Sequence, residues 1–162
     1  MFEKLKLFII DYIYNISKQP VKLHELLSAN QRFQEGMKLD GSKLGFRIKV
    51  GRAYVVFLIL AHLIILPLAL ISHHIFVHLD CHASIISAIF FTAFLFGIFN
   101  FFKEWTQDCV TKQRIKQMWI LHFPHFPFEE YAKDVAKIYE DALKQEIKHS
   151  DLERFILDRL SQ

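Results

Sequence analysis

Two uncharged apolar runs, separated by only a few polar residues, constrain this chain more than any other feature of its sequence. Residues 53–77 read AYVVFLILAHLIILPLALISHHIFV, and residues 83–102 read ASIISAIFFTAFLFGIFNFF; neither holds an Asp, Glu, Lys or Arg. A helix rises about 1.5 Å per residue, so about 20 apolar residues cross the hydrocarbon of a bilayer. Both runs reach that length. In lipid an isolated strand leaves its backbone groups unpaired, so both runs are expected to be helices. The link at 78–82 is too short for anything but an antiparallel return, which predicts a two-span transmembrane hairpin. A hydrophobic content of 52% and a positive mean hydropathy of +0.21 agree with a segment that prefers lipid to water. The 17 Phe residues are favourable in hydrocarbon and carry no polar atom that needs a partner.

The flanks predict the orientation. Lys38, Lys43, Arg47, Lys49 and Arg52 precede the first run, and Lys103, Lys112, Arg114 and Lys116 follow the second. The link carries no Lys or Arg, but it does carry Asp80. Basic residues stay on the cytoplasmic side. Both ends are therefore expected in the cytoplasm, in a multi-pass protein of the inner membrane. Tyr54 and Trp105 suit the inner interface, while Trp119 lies farther out, where packing is its expected role. Asp11 and Asn15 interrupt the apolar residues near the start, and no small-residue cleavage site follows. The first span is then expected to serve as its own insertion signal. Cys81 and Cys109 would lie on opposite sides of the bilayer, which rules out a bridge within one chain.

Outside the runs, the pattern is that of amphipathic helices. Phe2, Leu5, Ile9, Ile13 and Ile16 recur at helical spacing, with Lys4, Asp11 and Asn15 opposite them, which predicts a helix over 1–17. Such a stripe can lie on the inner leaflet or pack on protein. Pro20 breaks it; residues 21–35 read as a second helix, and the glycines of 36–51 as a loop or hinge. The second span is expected to continue as a helix through 103–121, until Pro124 and Pro127 stop it. A helix over 129–148 carries Tyr131, Val135, Ile138 and Ala142 on one side. The S-x-x-E box of Ser150 and Glu153 predicts a last helix with Leu152, Phe155, Ile156 and Leu160 inward. No strand pattern is visible. The expected fold is an all-α membrane protein: N-terminal cytoplasmic helices and basic hinge over 1–52, the hairpin over 53–102, and a cytoplasmic helical region over 103–162. The last region is too small for a large core of its own. Its stripes need a cover from the N-terminal helices, the membrane surface, a second copy or another protein.

The second run also carries small residues four apart, Ser84 with Ala88 and Ala93 with Gly97. That spacing lets helix backbones approach closely, and either the first span or a partner can fill such a face.

Residues that could carry chemistry concentrate at the link. His74, His78, Asp80, Cys81 and His82 are potential ligands for zinc or copper, and His74, His78 and His82 are spaced by one helical turn. A short turn at a membrane surface must also contain polar residues, and the spacing matches no specific zinc motif. His62 lies inside the first run, near Pro67. Neutral imidazole there is expected to hydrogen-bond a backbone carbonyl or Asn100 or Thr92 of the second run. There is no P-loop, dinucleotide fingerprint, nucleophile elbow or H-E-x-x-H. With 20 basic and 17 acidic residues, the surplus of positive charge is too small to point to nucleic acid. The expectation is a non-enzymatic membrane subunit or scaffold that contacts the bilayer and other subunits or copies of itself. The alternative is a metal-handling or pH-sensing protein that uses the histidines of the link.

Overall fold

Where the apolar residues run without interruption, the chain forms its longest helices. The computed structural model describes residues 2–76 and 81–161. Among these are six helices and two short strands: α1 (Phe2–Ile13), β1 (Tyr14–Ile16), α2 (Leu23–Gln34), β2 (Phe46–Ile48), α3 (Val50–Phe76), α4 (Cys81–His122), α5 (Phe128–Lys144) and α6 (Leu152–Leu160). Two of them are long and apolar enough to cross a membrane, Val50–Leu68 of α3 and Ile85–His122 of α4. Pro67 sits inside α3 without ending it. The helix expected to continue the second run does so, reaching His122 just before the proline pair.

The strands correct the all-helical expectation. β1 and β2 pair in a two-stranded sheet. Lys49 N donates to Ile13 O (2.8 Å) and Ser17 N to Gly45 O (2.7 Å), so the strands run antiparallel. The first helix therefore stops at Ile13, because its next residues find ladder partners instead of continuing the helical turn. The loop before β2 is tight. The backbone N–H of Ser42 donates to Asp40 Oδ1 (3.0 Å), which holds that carboxyl below its ordinary pKa. Gly41 leaves no room for a Cβ, which would run into the Phe46 ring. Gly45 takes φ +74°, a left-handed conformation that glycine adopts at least cost.

The chain divides into two units. The first comprises Met1–Asn15 and Ile48–Gln107. Here α1 lays Ile10 and Ile13 against α3, and Tyr14 is buried with its hydroxyl 3.1 Å from Thr106 Oγ1. Thr106 donates its own proton to Lys103 O (2.9 Å), which leaves the Tyr14 hydroxyl as donor. α3 and α4 meet through aromatic rings: Phe57 lies 5.3 Å from Phe99 and 5.7 Å from Phe102, and Tyr54 lies 4.9 Å from Phe99.

The second unit comprises Ile16–Arg47 and Asp108–Gln162. Its core joins Leu26, Leu27 and Ala29 of α2 with Ala132, Val135, Tyr139 and Ala142 of α5. Leu152 and Ile156 of α6 close it beside α5. The cover that α5 needs is thus supplied by α2 of the N-terminal segment, and α6 packs on α5 itself. α6 begins at Leu152, not at Ser150. Asp151 occupies its N-cap without a side-chain hydrogen bond, so the expected capping box does not form.

Candidate functional site

The described side chains give polar groups three kinds of setting: mid-helix within the apolar runs, at the small-residue face of α4, and in the core of the second unit. His62 is exposed on α3, and its Nδ1–H donates to Leu58 O at 2.7 Å. This is the bond to a backbone carbonyl that the sequence leads one to expect, and its acceptor lies in the same helix. Thr92 likewise donates to Ala88 O (2.8 Å), one turn back on α4. Neither His62 nor Thr92 reaches across to the other helix through these bonds.

The small-residue face stays open among the described residues. Ala88, Ala93 and Gly97 are exposed, and a Cβ added at Gly97 would meet nothing within 4 Å. The side chain of Ser84 lies outside the described residues. α3 meets α4 at Phe99 and Phe102 instead, because bulky rings at those positions reach it first. A groove of about 500 Å³ runs between the two helices, walled by Phe57, Ile64, Leu68, Phe91, Phe94 and Trp105. Its walls are almost wholly apolar, so it can hold hydrocarbon but offers nothing for acid–base chemistry.

His78 and Asp80 lie outside the described residues, as do the side chains of His74, Cys81 and His82. Among the described residues, no three of His, Cys, Asp or Glu gather closely enough to hold a metal ion.

The apolar stripes of α5 and α6 face inward. Val135, Ala142 and Ile156 are fully buried; Tyr131, Ile138 and Phe155 are half-buried. Tyr131 sets its ring against Phe126 at 5.1 Å, within the second unit.

Sequence reading missed the polar bolts of this unit. Arg114 is buried, with Nε donating to Leu44 O (3.0 Å) and Nη2 to Gln19 O (2.7 Å). Burial lowers its pKa from the ordinary value. In the sequence it stands only among the cationic flanks, and its place four residues before Met118 and five before Trp119 gives no separate signal. Trp119 is buried against Phe123 (4.8 Å) and Phe128 (5.3 Å), and its Nε1–H donates to Phe126 O (2.7 Å). His122 Nε2 lies 3.0 Å from Val21 O and donates to it. Lys116 pairs with Glu129 at the start of α5, and its hydrogen bond holds that carboxyl below the usual range. Asn30, fully buried on α2, donates from Nδ2 to Ala132 O of α5 at 2.7 Å. Asn30→Ala is expected to lower the stability of this unit by about 1 kcal/mol, the net value of one such bond. Faster hydrogen exchange in α2 and α5 would register it; unchanged exchange would mean that the bond contributes nothing.

No protein-family model, curated protein or solved structure matches this chain.

Proposed function

We propose that this chain is a non-enzymatic subunit or scaffold of the inner membrane. α3 and α4 cross the bilayer as an antiparallel hairpin, both ends of the chain lie in the cytoplasm, and the second unit contacts partner subunits or further copies. One observation carries the membrane reading. Only 11% of the most apolar stretch of α3 and 6% of that of α4 is buried within the chain. A core helix of a soluble protein would be mostly covered. Each large apolar side chain left in water costs on the order of 1.5–3 kcal/mol relative to burial. Lipid removes that cost without any protein cover. The cationic residues on both flanks, and their lack in the link, set the orientation.

The scaffold reading rests on the second unit. It has a closed helical core and carries it directly on the end of a helix that can span the bilayer. Because the stripes of α5 and α6 are buried, partner contacts fall on its outer surface. That surface presents Ile120, Leu121 and Leu143 in the open, together with the mixed charges Lys133, Asp134, Lys137 and Glu140 of α5.

Native mass spectrometry of the protein extracted gently from its own membrane, with metal content read from the same sample, tests this. The expected result is a defined complex without stoichiometric metal. A lone, well-behaved monomer would remove the scaffold reading. Stoichiometric zinc or copper that is lost in His78→Ala and His82→Ala would replace it with a metal-handling role at the link.

A further inference from the structure

α1 has two apolar faces, and the chain covers one. Ile10 and Ile13 face α3 and are buried. Leu5, Phe8 and Tyr12 are 52%, 69% and 41% exposed. At about 100° per residue these three fall within an arc of roughly 60°, on the side opposite Ile10. Lys4 and Asp11, both exposed, stand beside that arc, while Glu3, exposed, and Lys6, half-buried, fall on the Ile10 side of the helix.

We infer that the outer face of α1 lies in the inner leaflet, with Leu5, Phe8 and Tyr12 at the boundary between headgroups and acyl chains. The inference rests on the membrane reading of α3 and α4. What identifies lipid as the occupant is the depth at which α1 is pinned. Lys49 N donates to Ile13 O at 2.8 Å. Arg52 Nη1 donates to Tyr12 O at 3.4 Å, and its guanidinium stands 5.1 Å from the centre of the Tyr12 ring. Lys49 and Arg52 are the last cations before the uncharged run begins at Ala53. The C-terminal end of α1 is therefore held at the level where α3 enters the hydrocarbon. Just beyond it on α3, Tyr54, Val55 and Leu58 are exposed as well, so α3 also presents apolar surface near this level. A helix with an uncovered apolar face, charged residues on its remaining sides and a fixed position at the interface is suited to lie in the plane of the membrane. Tyr12 puts an amphipathic ring where such rings are favoured, and Arg52 and Lys49 stand ready for lipid phosphates.

The test uses the full chain in nanodiscs of phosphatidylcholine and phosphatidylglycerol, with Cys81→Ser and Cys109→Ala as background. An environment-sensitive fluorophore is attached to one new cysteine at a time: Phe8→Cys, Glu3→Cys and Leu63→Cys. Quenching is compared between iodide in the water and nitroxide-labelled lipid. The Phe8 position is expected to be quenched several-fold more by lipid nitroxide near the headgroup than by iodide, and Glu3, on the opposite side of α1, the reverse. Leu63 is expected to respond most to nitroxide deep in the acyl chains. Iodide quenching at Phe8 equal to that at Glu3 would overturn the inference, as that face of α1 would then face water. Protection of Phe8 from both quenchers would overturn it too, in favour of a protein cover. In either case lipid quenching at Leu63 would leave the membrane reading standing; iodide quenching at Leu63 would remove that reading itself.

Discussion

Leu63→Asp and Phe94→Asp are each expected to cost the inserted protein about 3–4 kcal/mol, and the pair roughly twice that. An aspartate near the middle of a span is disfavoured by about 2.5–3.5 kcal/mol, and the leucine or phenylalanine it replaces contributes a further few tenths in favour of insertion. The two positions are 67% and 64% exposed and belong to different helices, so little internal packing is lost with either. This separates lipid from water as the surrounding medium. On a helix surface facing water, the same substitution falls within about 0.5 kcal/mol and improves solubility. Resistance of the protein to alkaline extraction from membranes is the measurement. A large loss in the double variant fits insertion, whereas a soluble, folded double variant would place both helices in water.

Trp119→Ala is expected to be the most damaging single change outside the apolar runs. It empties a buried volume walled by Phe123 and Phe128 and leaves Phe126 O without its donor. Truncation of a buried Trp costs about 3–5 kcal/mol. Trp119→Phe keeps most of the apolar volume and loses the hydrogen bond, which is expected to cost about 1–2 kcal/mol. A chain of two units has no single unfolding midpoint to quote, so hydrogen exchange resolved to α2 and α5 is the suitable readout. Equal exchange in the alanine variant and the parent would mean that the aromatic cluster does not hold this unit together.

The two apolar helices are legible because the requirement is local and large. About 20 uncharged residues have few alternatives, and α3 and α4 fall where the runs are. α5 is legible for a similar reason, since its apolar residues repeat at helical spacing up to Lys144. The β1–β2 pair is not, because strands of three residues are too short to show an alternating pattern. What covers α5 is not legible either. Asn30 and Ala132 are 102 positions apart, and nothing in the sequence near either points to the other. The same holds for Arg114: a cation before the proline turn looks like part of the cationic flank, and only the fold brings the carbonyls of Gln19 and Leu44 to it. The Ser150 box failed because the turn before α6 runs on to Asp151, whose N–H bonds Lys148 O at 2.9 Å.

Labelling from each side of a sealed membrane tests the hairpin most directly. Three single-cysteine proteins suffice: the natural Cys81 in the link, Lys18→Cys in the N-terminal segment, and Lys137→Cys on the outer face of α5, each treated with a maleimide that cannot cross the bilayer. Cys81 is expected to react only in right-side-out vesicles, and the residue 18 and residue 137 positions only in inside-out vesicles. Reaction of all three from one side, or of residues 18 and 137 from opposite sides, would contradict two crossings with both ends in the cytoplasm.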